Sequence, residues 1–368
     1  MQRVLGMYEF GKRAVKMEPF GNGHINKTYL VLTDNDEKFI LQRINTNVFK
    51  KPKEVMRNIE LVTNYIREVV AKAAKDPSRA ALEIIPTVNK KTYAHFDDMY
   101  WRCYRFVQGA KSYEIIENPE MFYEVGKAVG VFQRQLQNFP IEKLYITIPN
   151  FHNTGARFHR FKQVVNDDVK RRGIEVFNEI KFVYNREDGV SKIVNMLESG
   201  EIPTRVTHND TKLNNIMIDE ITQKAICVVD LDTVMPGSVL YDFGDAIRVG
   251  ASTAQEDETD LSKVHLDLNL FKHFSKGFLE KCQNILVDKE IENLVESARI
   301  ITLECGMRFL TDFLEGDSYF SISHPNHNLE RARTQFKLVE EIEYNCEDMQ
   351  NIIKEIIGSV KNSVDNSI

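Results

Sequence analysis

The segment VTHNDTKLNNIMIDE, residues 206–220, decides how this sequence is interpreted. It places one histidine, two aspartates, three asparagines and one lysine within fifteen residues. Asn and Asp are common in surface turns because their side chains bond the local backbone. The same residue types supply the base and the metal ligands of a phosphoryl-transfer site. The segments that follow bear on which of the two interpretations applies.

A β-hairpin is predicted directly after this loop. Two short apolar runs, Ile216 to Ile218 and Ala225 to Asp230, are separated by polar residues. The hairpin would bring Asp230, at the end of the returning strand, towards the loop that carries Asp210 and Asn215. Convergent oxygen ligands suit magnesium.

The spacing of the polar residues matches a protein-kinase pattern, in which a catalytic Asp is followed by a metal-binding Asn and later by a metal-binding Asp. Asn215 follows Asp210 by five positions, Lys212 by two and Asp230 by twenty. A calcium loop is the alternative, but the segment lacks the glycine and terminal glutamate of an EF-hand. The combination favours phosphoryl transfer over a plain turn. For Asn209, Thr211 and Asn214, local backbone bonding is the alternative explanation.

Composition and charge limit the partners. The chain has 368 residues and a formal net charge of -6, and its pI is near 5.9. This balance argues against a broad basic surface for nucleic acid. The five cysteines are far apart and form no Cys-x-x-Cys pair, which argues against a disulfide framework or a zinc site. The first twenty residues lack the apolar core of a signal peptide and no run reaches membrane-spanning length, so we expect a cytoplasmic protein with no membrane partner.

The periodicity predicts an α+β chain with two lobes. Strand-like runs occur at residues 29–32, 39–44, 92–96 and 100–107, with an amphipathic helix between the two pairs. Apolar residues then recur at helical spacing around residues 122–136, 294–309 and 336–353. We therefore predict a small β-rich lobe, residues 1–107, and a large helical lobe, residues 108–368. Ligands often bind where two such lobes meet.

The motifs HNDTKLNN, VVDLDTVMPG and YDFGD resemble the aminoglycoside phosphotransferase and choline kinase superfamily, which has a protein-kinase-like fold. Within it, the chain resembles the N-acetylhexosamine 1-kinases over nearly its whole length. The segments that carry this closer resemblance are PFGNGHINKTYLV, FILQRINTNVF, MRNIELV, RVTHNDTKLNN, DLDTVMPGS, FGDAIRVGASTA, DLSKVH, ECGMRFL and HNLERARTQFKLV. The resemblance implies a kinase that uses ATP and Mg²⁺.

The resemblance also implies roles for single residues. Asp210 would accept the proton of the sugar hydroxyl, and Lys212 would neutralise the γ-phosphate. Asn215 and Asp230 would hold magnesium. Asp232 would be a lower-ranked candidate, as a further ligand or a substrate contact, if the strand continued past Asp230.

The segment PFGNGHINKTYLV would be the hairpin that covers the phosphates. Gly21 and Gly23 would let backbone amides approach the nucleotide. His24, at the tip, would contact the phosphates or the sugar; a structural turn histidine is the alternative.

One position departs from the superfamily pattern. Gln42 stands where many relatives carry a phosphate-binding Lys or Arg, and Arg43 is beside it. Adjacent strand residues face opposite ways. Either the strand is shifted so that Arg43 faces the cleft, or the site binds phosphates without that cation. Glu60, on the next helix, would be a partner or a solvated surface residue.

Two further predictions concern the helical lobe. The DFG at residues 242–244 suggests a metal role for Asp242, but the resemblance favours a carboxylate that braces the catalytic loop. Arg308 and Tyr319 would contact the sugar; a salt bridge within the lobe is the alternative for Arg308. Trp101 is expected in the core.

The predicted function is ATP- and magnesium-dependent phosphorylation of the anomeric hydroxyl of N-acetylglucosamine or N-acetylgalactosamine. The alternatives are a kinase for another small hydroxyl compound, such as an aminoglycoside or amino alcohol, and a catalytically silent kinase-like protein. Oligomeric state, nucleotide preference and the range of sugars are left open by the sequence.

Overall fold

The computed structural model describes residues 2–21, 25–74 and 76–365. The helices, numbered in chain order, are α1 (Gln2–Leu5), α2 (Pro52–Lys72), α3 (Pro119–Leu136), α4 (Thr154–Asp167), α5 (Phe177–Tyr184), α6 (Lys192–Glu198), α7 (Val239–Gly250), α8 (Leu268–Cys282), α9 (Asp288–Glu292), α10 (Leu294–Glu315), α11 (His327–Tyr344) and α12 (Cys346–Asp365). The strands are β1 (Ala14–Pro19), β2 (Lys27–Thr33), β3 (Lys38–Ile44), β4 (Ala94–Phe96), β5 (Met99–Arg105), β6 (Ala110–Lys111), β7 (Arg205–Thr207), β8 (Ile216–Asp219), β9 (Ala225–Val228) and β10 (Met235–Gly237). Short 3-10 helices lie at Ile141–Lys143, Gly173–Val176, Leu213–Asn215, Leu231–Thr233, Leu261–Lys263 and Gln283–Ile285.

The chain forms two compact units. The first comprises Met1–Ser112, Asn138–Pro149 and Met217–Pro236, and the second comprises Tyr113–Gln137, Asn150–Ile216 and Gly237–Ile368, each as far as the structure describes it. The first unit contains the main β-sheet and the second is mainly helical. The predicted α+β class is confirmed. A nucleotide-binding role for residues 1–107 and a catalytic, sugar-binding role for residues 108–368 stay proposals.

The first unit is built on a five-stranded antiparallel sheet in the order β1-β2-β3-β5-β4. Both predicted hairpins of this sheet are present. Alternate residues of β2, β3 and β5 point into a core that includes Val31, Phe39, Leu41 and Cys103. Trp101 belongs to this core and is 4% exposed, so its predicted core position is confirmed.

The second unit packs helices closely around an apolar core that α4, α5, α10 and α11 share. Its first helix, α3, begins where sequence signals predict a helix start: Asn118 accepts a hydrogen bond from the Met121 backbone N–H at 2.8 Å, and Pro119 occupies the first turn. Gly126 of α3 and Gly277 of α8 face the backbone of the opposite helix so closely that a Cβ at either position would clash with it. Small residues here allow the two helices to approach.

The C-terminal periodicity corresponds to two helices. The sequence predicted one continuous helix over residues 336–353, and this is wrong at Asn345, which separates α11 from α12. The Asn345 side chain donates to the Glu341 carbonyl oxygen at 2.8 Å, where its own backbone N–H also bonds. Such local side-chain bonding competes with regular helix geometry. The apolar period of 3.6 residues continues across the break, which explains the error.

None of the helices in the described segments combines the length and the apolar character needed to cross a lipid bilayer.

Candidate active site

The candidate catalytic loop starts from a firmly held strand in the second unit. Arg205, at the start of β7, donates two hydrogen bonds of 2.7 Å to the carboxylate of Glu290, which is fully buried. A bidentate pair of this kind fixes both position and orientation. The loop, residues 208–212, leaves β7 and enters the 3-10 helix Leu213–Asn215.

Asp242 braces this loop. Its carboxylate accepts hydrogen bonds from the backbone N–H groups of His208, at 3.0 Å, and Asn209, at 2.7 Å, and from the side chain of Gln133, at 2.7 Å. Burial raises the pKa of Asp242, although His208 and the backbone donors act to lower it. The predicted bracing contact is therefore confirmed. The DFG sequence lies within helix α7, where Gly244 packs against the backbone of Ser297.

Thr211 is also held by α7. Its hydroxyl donates to the Asp242 carbonyl oxygen at 2.6 Å, and its backbone N–H donates to Asp245 at 3.1 Å. Arg248 in turn donates to Asp245 at 2.9 and 3.0 Å. Local turn bonding, the simple explanation for the polar residues of this loop, does not account for Thr211, whose contacts lie about thirty positions away in the sequence.

Asp210 lies at the centre of the loop with both predicted neighbours in contact. Its Oδ1 is 2.9 Å from the Lys212 Nζ. Asn215 donates its Nδ2 to the Asp210 Oδ2 at 3.1 Å and to the Asp210 carbonyl oxygen at 2.8 Å. Burial acts to raise the pKa of Asp210, but the Lys212 ammonium group outweighs it and holds that pKa below the usual range. The carboxylate is therefore ionised at neutral pH, and its side chain is 25% exposed.

A buried pair that sequence reasoning missed supports the loop from the other side. His152 Nδ1 is 2.9 Å from Glu304, and His152 Nε2 is 3.3 Å from the carbonyl oxygen of Asn209. Thr154 donates to the second Glu304 oxygen at 2.6 Å. Burial opposes ionisation of Glu304, yet His152 and the hydrogen bonds lower its pKa. His152 and Glu304 are 152 positions apart, and neither belongs to a recognisable spacing pattern.

Of the two predicted sugar contacts, Arg308 lies one helical turn along α10 from Glu304, and Tyr319 lies in the segment after the end of that helix. The Arg308 guanidinium stacks on two rings, 5.8 Å from the centroid of Phe151 and 5.4 Å from that of Phe320. The Tyr319 ring packs edge-on against Phe320 at 4.8 Å and is 66% exposed. Arg308 and Tyr319 thus share one aromatic neighbour.

Asp312 fixes the segment that carries Tyr319. It accepts hydrogen bonds of 2.8 to 2.9 Å from the backbone N–H groups of three consecutive residues, Ser318, Tyr319 and Phe320. Asn328 donates to the same carboxylate at 2.9 Å. The position of the tyrosine is therefore set by its backbone, while its ring remains accessible.

A second cation, Arg157, accompanies Arg308. Burial and the nearby Arg308 guanidinium lower the pKa of Arg157. Its Nη2 donates to the Phe151 carbonyl oxygen at 3.3 Å, and neither arginine forms an ion pair with a carboxylate in the described part of the chain. The salt-bridge alternative for Arg308 is thus not observed among these residues. The surroundings of Arg308 are aromatic and contain both the Arg157 guanidinium and the buried carboxylate of Glu304.

In the first unit, Asp230 does not lie on a strand. Strand β9 ends at Val228, and Asp230 has a left-handed backbone conformation with φ of 57°. The 3-10 helix Leu231–Thr233 follows. The predicted strand from Ala225 to Asp230 therefore ends two residues early, and the condition on which the predicted role of Asp232 depended, a strand that continues past Asp230, is not met. A positive φ is tolerated by Asp because its short side chain bonds locally. The resulting turn sends the Asp232 side chain into the interior of the unit.

Asp232 is buried in a charged network. It forms an ion pair with Arg102 of β5, and it accepts a 2.5 Å hydrogen bond from Asn26. Burial opposes the charged form of Arg102, but Asp232 raises the pKa of that guanidinium. Asn58 of α2 donates to the Val234 carbonyl oxygen at 2.9 Å and so holds the other end of the turn.

Gln42 and Arg43 face opposite sides of the sheet. Gln42 pairs with Thr28 of β2 and with Arg102 of β5, and its side chain contacts both, at 3.0 and 2.9 Å. Arg43 contacts the Met99 sulfur at 3.4 Å. Which of the two residues faces the nucleotide stays a prediction. Glu60 pairs with Arg57 on the surface of α2 at 3.1 Å.

The predicted phosphate hairpin is described in part. Gly21 has a φ of 70°, a conformation that favours glycine, and a Cβ there would meet no atom of the described residues within 4 Å. Gly23 and His24 lie outside the described residues, so their predicted contacts stay predictions. A pocket of about 280 Å³ opens beside this segment. It is lined by Pro19, Phe20, Gly21, Asn26, Lys27, Thr28 and Tyr29.

The two residues predicted to hold magnesium are one amide, Asn215, and one carboxylate, Asp230. Across residues 2–21, 25–74 and 76–365, no three His, Cys, Asp or Glu side chains cluster as a metal site. Magnesium usually binds through one or two carboxylates together with water and substrate phosphates. Asn215 donates its Nδ2 to Asp210 within the second unit, and Asp230 belongs to the first. Their role as ligands stays a proposal.

Comparison with known families agrees with this chemistry. A model of the phosphotransferase enzyme family matches residues 16–270, well over half of the chain. The chain belongs to this family. A probable choline kinase of Arabidopsis thaliana is 29% identical over 130 residues, which are 32% of this chain and 36% of that relative. The chain thus matches only about a third of the length of this curated relative.

Solved structures of phosphotransferases have the same fold. An amicoumacin kinase, in complex with AMP-PNP, Ca²⁺ and its substrate, has a TM-score of 0.60 at 12% identity, covering 94% of this chain and 91% of that chain. Spectinomycin phosphotransferase, with ADP and spectinomycin bound, has a TM-score of 0.57 at 14% identity, covering 94% of this chain and 97% of that chain. Choline kinase from Cryptosporidium parvum has a TM-score of 0.57 at 14% identity, covering 92% of this chain and 91% of that chain. The predicted protein-kinase-like fold is confirmed, and so is the aminoglycoside phosphotransferase and choline kinase superfamily.

Proposed function

We propose that this phosphotransferase is an ATP- and magnesium-dependent kinase that phosphorylates the anomeric hydroxyl of N-acetylhexosamines to give the sugar 1-phosphate. Membership of the family supports phosphoryl transfer to a small hydroxyl compound. The segments that resemble the N-acetylhexosamine 1-kinases support the sugar. The single observation that carries the choice of acceptor is the Arg308 guanidinium, which lies on the half-buried rings of Phe151 and Phe320 beside the exposed ring of Tyr319.

Asp210 is the proposed general base. Its carboxylate is ionised at neutral pH because Lys212 lowers its pKa, and Asn215 orients it through the Oδ2. An ionised, partly exposed carboxylate can accept the proton of the anomeric hydroxyl as the phosphate bond forms, which contributes roughly 10²- to 10⁴-fold to the rate. The backbone of the loop needs no rearrangement for this step, since Asp242 and His152 already hold it.

The phosphate side is proposed to use Lys212, Asn215 and Asp230. Lys212 is 43% exposed, and its ammonium group can contact a phosphate oxygen while it remains near Asp210. Asn215 and Asp230 are the proposed magnesium ligands, with Gly21, Gly23 and His24 at the hairpin over the nucleotide. When bound, the ion neutralises charge on the phosphate oxygens.

The acceptor side favours a neutral sugar over a cationic alcohol. Choline, ethanolamine and aminoglycosides carry positive charge, and sites for such ligands need carboxylates or an aromatic cage. The nearby carboxylate, Glu304, is already bound by His152 and Thr154, and the two guanidinium groups of Arg157 and Arg308 disfavour a cation. A guanidinium donates well to the hydroxyl and acetamide oxygens of an N-acetylhexosamine. Tyr319, held by Asp312, offers an accessible ring against which a sugar face can pack.

The test is a screen of acceptors with ATP, with and without Mg²⁺, followed by ³¹P NMR of the product. Free N-acetylglucosamine and N-acetylgalactosamine should be consumed only with Mg²⁺, and the product phosphorus should couple to the anomeric proton. The methyl glycoside is the matched control, because it lacks the anomeric hydroxyl and should not react. Turnover of the methyl glycoside, or a 6-phosphate, would overturn anomeric transfer. Turnover of choline or an aminoglycoside alone would replace the sugar with an amino alcohol or antibiotic, and no turnover at all would indicate a silent binding protein.

A further inference from the structure

His152 contacts the peptide bond that leads into the proposed base. The carbonyl oxygen of Asn209, which belongs to the peptide bond between Asn209 and Asp210, is 3.3 Å from the His152 Nε2. The N–H of the same peptide bond, on Asp210, donates to the His208 Nδ1 at 3.3 Å. A peptide unit is planar, so bonds at its two ends fix its orientation. That orientation sets the position from which the Asp210 side chain extends.

The contact from His152 fixes a different peptide from the one that Asp242 holds. Asp242 accepts the N–H of Asn209 at 2.7 Å, on the amino side of the Asn209 Cα. His152 bonds the carbonyl group on the other side of that Cα. Between them, Asn209 has a left-handed backbone conformation with φ of 65°, which few residue types adopt readily. Holding this conformation requires bonds to both flanking peptides.

The partners of the His152 ring determine where its protons lie. Its Nε2 contacts a carbonyl oxygen, which can only accept, so Nε2 carries a proton and donates. Its Nδ1 is 2.9 Å from the Glu304 Oε1, and the other Glu304 oxygen accepts the Thr154 hydroxyl at 2.6 Å. One further proton therefore lies between Nδ1 and Oε1. The His152–Glu304 pair holds two protons in this arrangement.

We infer that His152 is a positioning residue for the proposed base, and that it fixes the peptide before Asp210 only while the His152–Glu304 pair holds both protons. The inference rests on the proposed function, because it concerns the base of that reaction.

Loss of one proton breaks the contact with Asn209. The remaining proton has two places: Nδ1, which faces the Glu304 carboxylate, and Nε2, which faces a neutral carbonyl. A hydrogen bond to an ionised acceptor is roughly twice as strong as one to a neutral acceptor. The proton therefore stays on Nδ1, and Nε2 turns a lone pair towards the Asn209 oxygen. Two lone pairs repel, so a rise in pH releases the peptide.

Other groups around the pair do not produce the same effect as the pH rises. They are Arg308 of α10, Arg157 of α4 and Tyr241 of α7, which interact with Glu304, and His208, Asp210 and Lys212 of the catalytic loop. Guanidinium groups stay protonated. Burial raises the pKa of Tyr241, and Asp210 raises that of Lys212 while its own is lowered. The His208 Nδ1 accepts its hydrogen bond, so deprotonation of that ring leaves the bond intact.

Three variants separate the two ring nitrogens. The amide nitrogen of Gln reaches the position of Nε2, and that of Asn reaches the position of Nδ1. His152→Gln therefore keeps a donor for Asn209 that does not titrate, whereas the matched variant His152→Asn keeps a donor for Glu304 alone. In Glu304→Gln the amide can donate to Nδ1 and accept from Thr154, so that a neutral ring keeps its proton on Nε2.

The experiment measures kcat and both KM values against pH, together with the ¹⁵N NMR spectrum of the histidine rings, which distinguishes a protonated nitrogen from one with a lone pair. In the wild type, the His152 Nε2 should be protonated at neutral pH, and kcat should fall as the pH rises through the loss of that proton. His152→Asn should lower kcat by about 10-fold and change both KM values by less than about 3-fold. His152→Gln should retain more of kcat, and both His152→Gln and Glu304→Gln should lack the basic limb.

A lone pair on the His152 Nε2 at neutral pH overturns the inference, whether or not the protein is active. An equal loss of kcat in His152→Gln and His152→Asn also overturns it, as does a basic limb that His152→Gln leaves unchanged. If the His152 variants do not fold, the wild-type protein decides: loss of the Nε2 proton at a pH that differs from the fall in kcat overturns the inference. A wild-type protein with the expected ring spectrum that phosphorylates no acceptor refutes the proposed function instead.

Discussion

The carboxylate of Asp242 accepts a 2.7 Å hydrogen bond from the backbone N–H of Asn209, the residue that precedes Asp210. Together with its bonds from His208 and Gln133, this makes Asp242 the acceptor for three buried donors. Asp242→Ala leaves these three buried donors without their acceptor. We therefore expect the free energy of unfolding to fall by about 2 to 4 kcal/mol and the melting temperature to fall with it. Asp242→Asn, which keeps one acceptor oxygen, should lose less. An unchanged melting temperature in the alanine variant would mean that the loop is held without Asp242.

Asp230→Asn tests the proposed metal ligand without straining the backbone, because Asn tolerates the left-handed conformation found at this position. The variant should melt like the wild type in the absence of ligand. In the wild type, Mg²⁺ together with nucleotide should raise the melting temperature. In Asp230→Asn this increase should be a small fraction of the wild-type increase, since a neutral amide binds the ion less strongly than a carboxylate. Asp36→Asn, at an exposed turn residue with φ of 62°, is the matched control. Full retention of Mg²⁺-dependent stabilisation would remove Asp230 from the ligand set.

The strands and the loop spacing were predictable because they depend on local patterns. Strand-like runs on either side of polar turns identified β2, β3 and β5, and the five-residue spacing of Asp210 and Asn215 corresponds to a side-chain contact in the structure. Contacts between distant segments were not predictable in the same way. Nothing in the sequence fixes the register that sets Arg102 beside Gln42, sixty positions away.

Besides these distant contacts, the local backbone geometry around Asp230 was also not predictable from the sequence. Strand propensity extends through VVD, but the chain leaves β9 at Val228 and turns at Asp230. The deciding factor is tertiary, because Asp232 is drawn inward by its ion pair with Arg102. The role of Glu304 could not be predicted either. The sequence shows only a single glutamate on an apolar helix, and its partner, His152, is identified only by the structure.

Asp210→Asn isolates the base. The amide keeps the size of the side chain but cannot accept the hydroxyl proton, so turnover should fall by roughly 10²- to 10⁴-fold while Mg-nucleotide affinity changes by less than about 5-fold. Initial-rate kinetics and calorimetry measure the two quantities. Asp188→Asn, at an exposed position of the same unit, should leave both unchanged. Near-normal turnover in Asp210→Asn would assign the base to another residue.

Lys212→Met should change the pH dependence of the reaction. In the wild type the Lys212 ammonium group lowers the pKa of Asp210. The carboxylate therefore stays ionised when the pH falls below the ordinary pKa of an aspartate, and it becomes protonated only as the pH falls through the lowered pKa. Without the ammonium, burial dominates and raises that pKa. The acid limb of kcat/KM should therefore move to higher pH. The measurement is the pH profile of kcat/KM for the wild type, for Lys212→Met and for the exposed control Lys224→Met. If the acid limbs of Lys212→Met and the wild type coincided, Lys212 would not set the pKa of the base.

Arg308→Ala tests the sugar site. The Arg308 guanidinium lies on Phe151 and Phe320 and has no carboxylate ion pair among the described residues, so its donors are proposed to serve the acceptor. Its loss should raise the sugar KM by about 10- to 100-fold and the nucleotide KM by less than about 3-fold, because a hydrogen bond from a charged group is lost only to the sugar. Arg333→Ala, which removes a surface arginine paired with Glu179, should change neither constant. If Arg308→Ala raised both KM values equally, the arginine would act through the structure of the unit, and the acceptor site would have to be sought elsewhere.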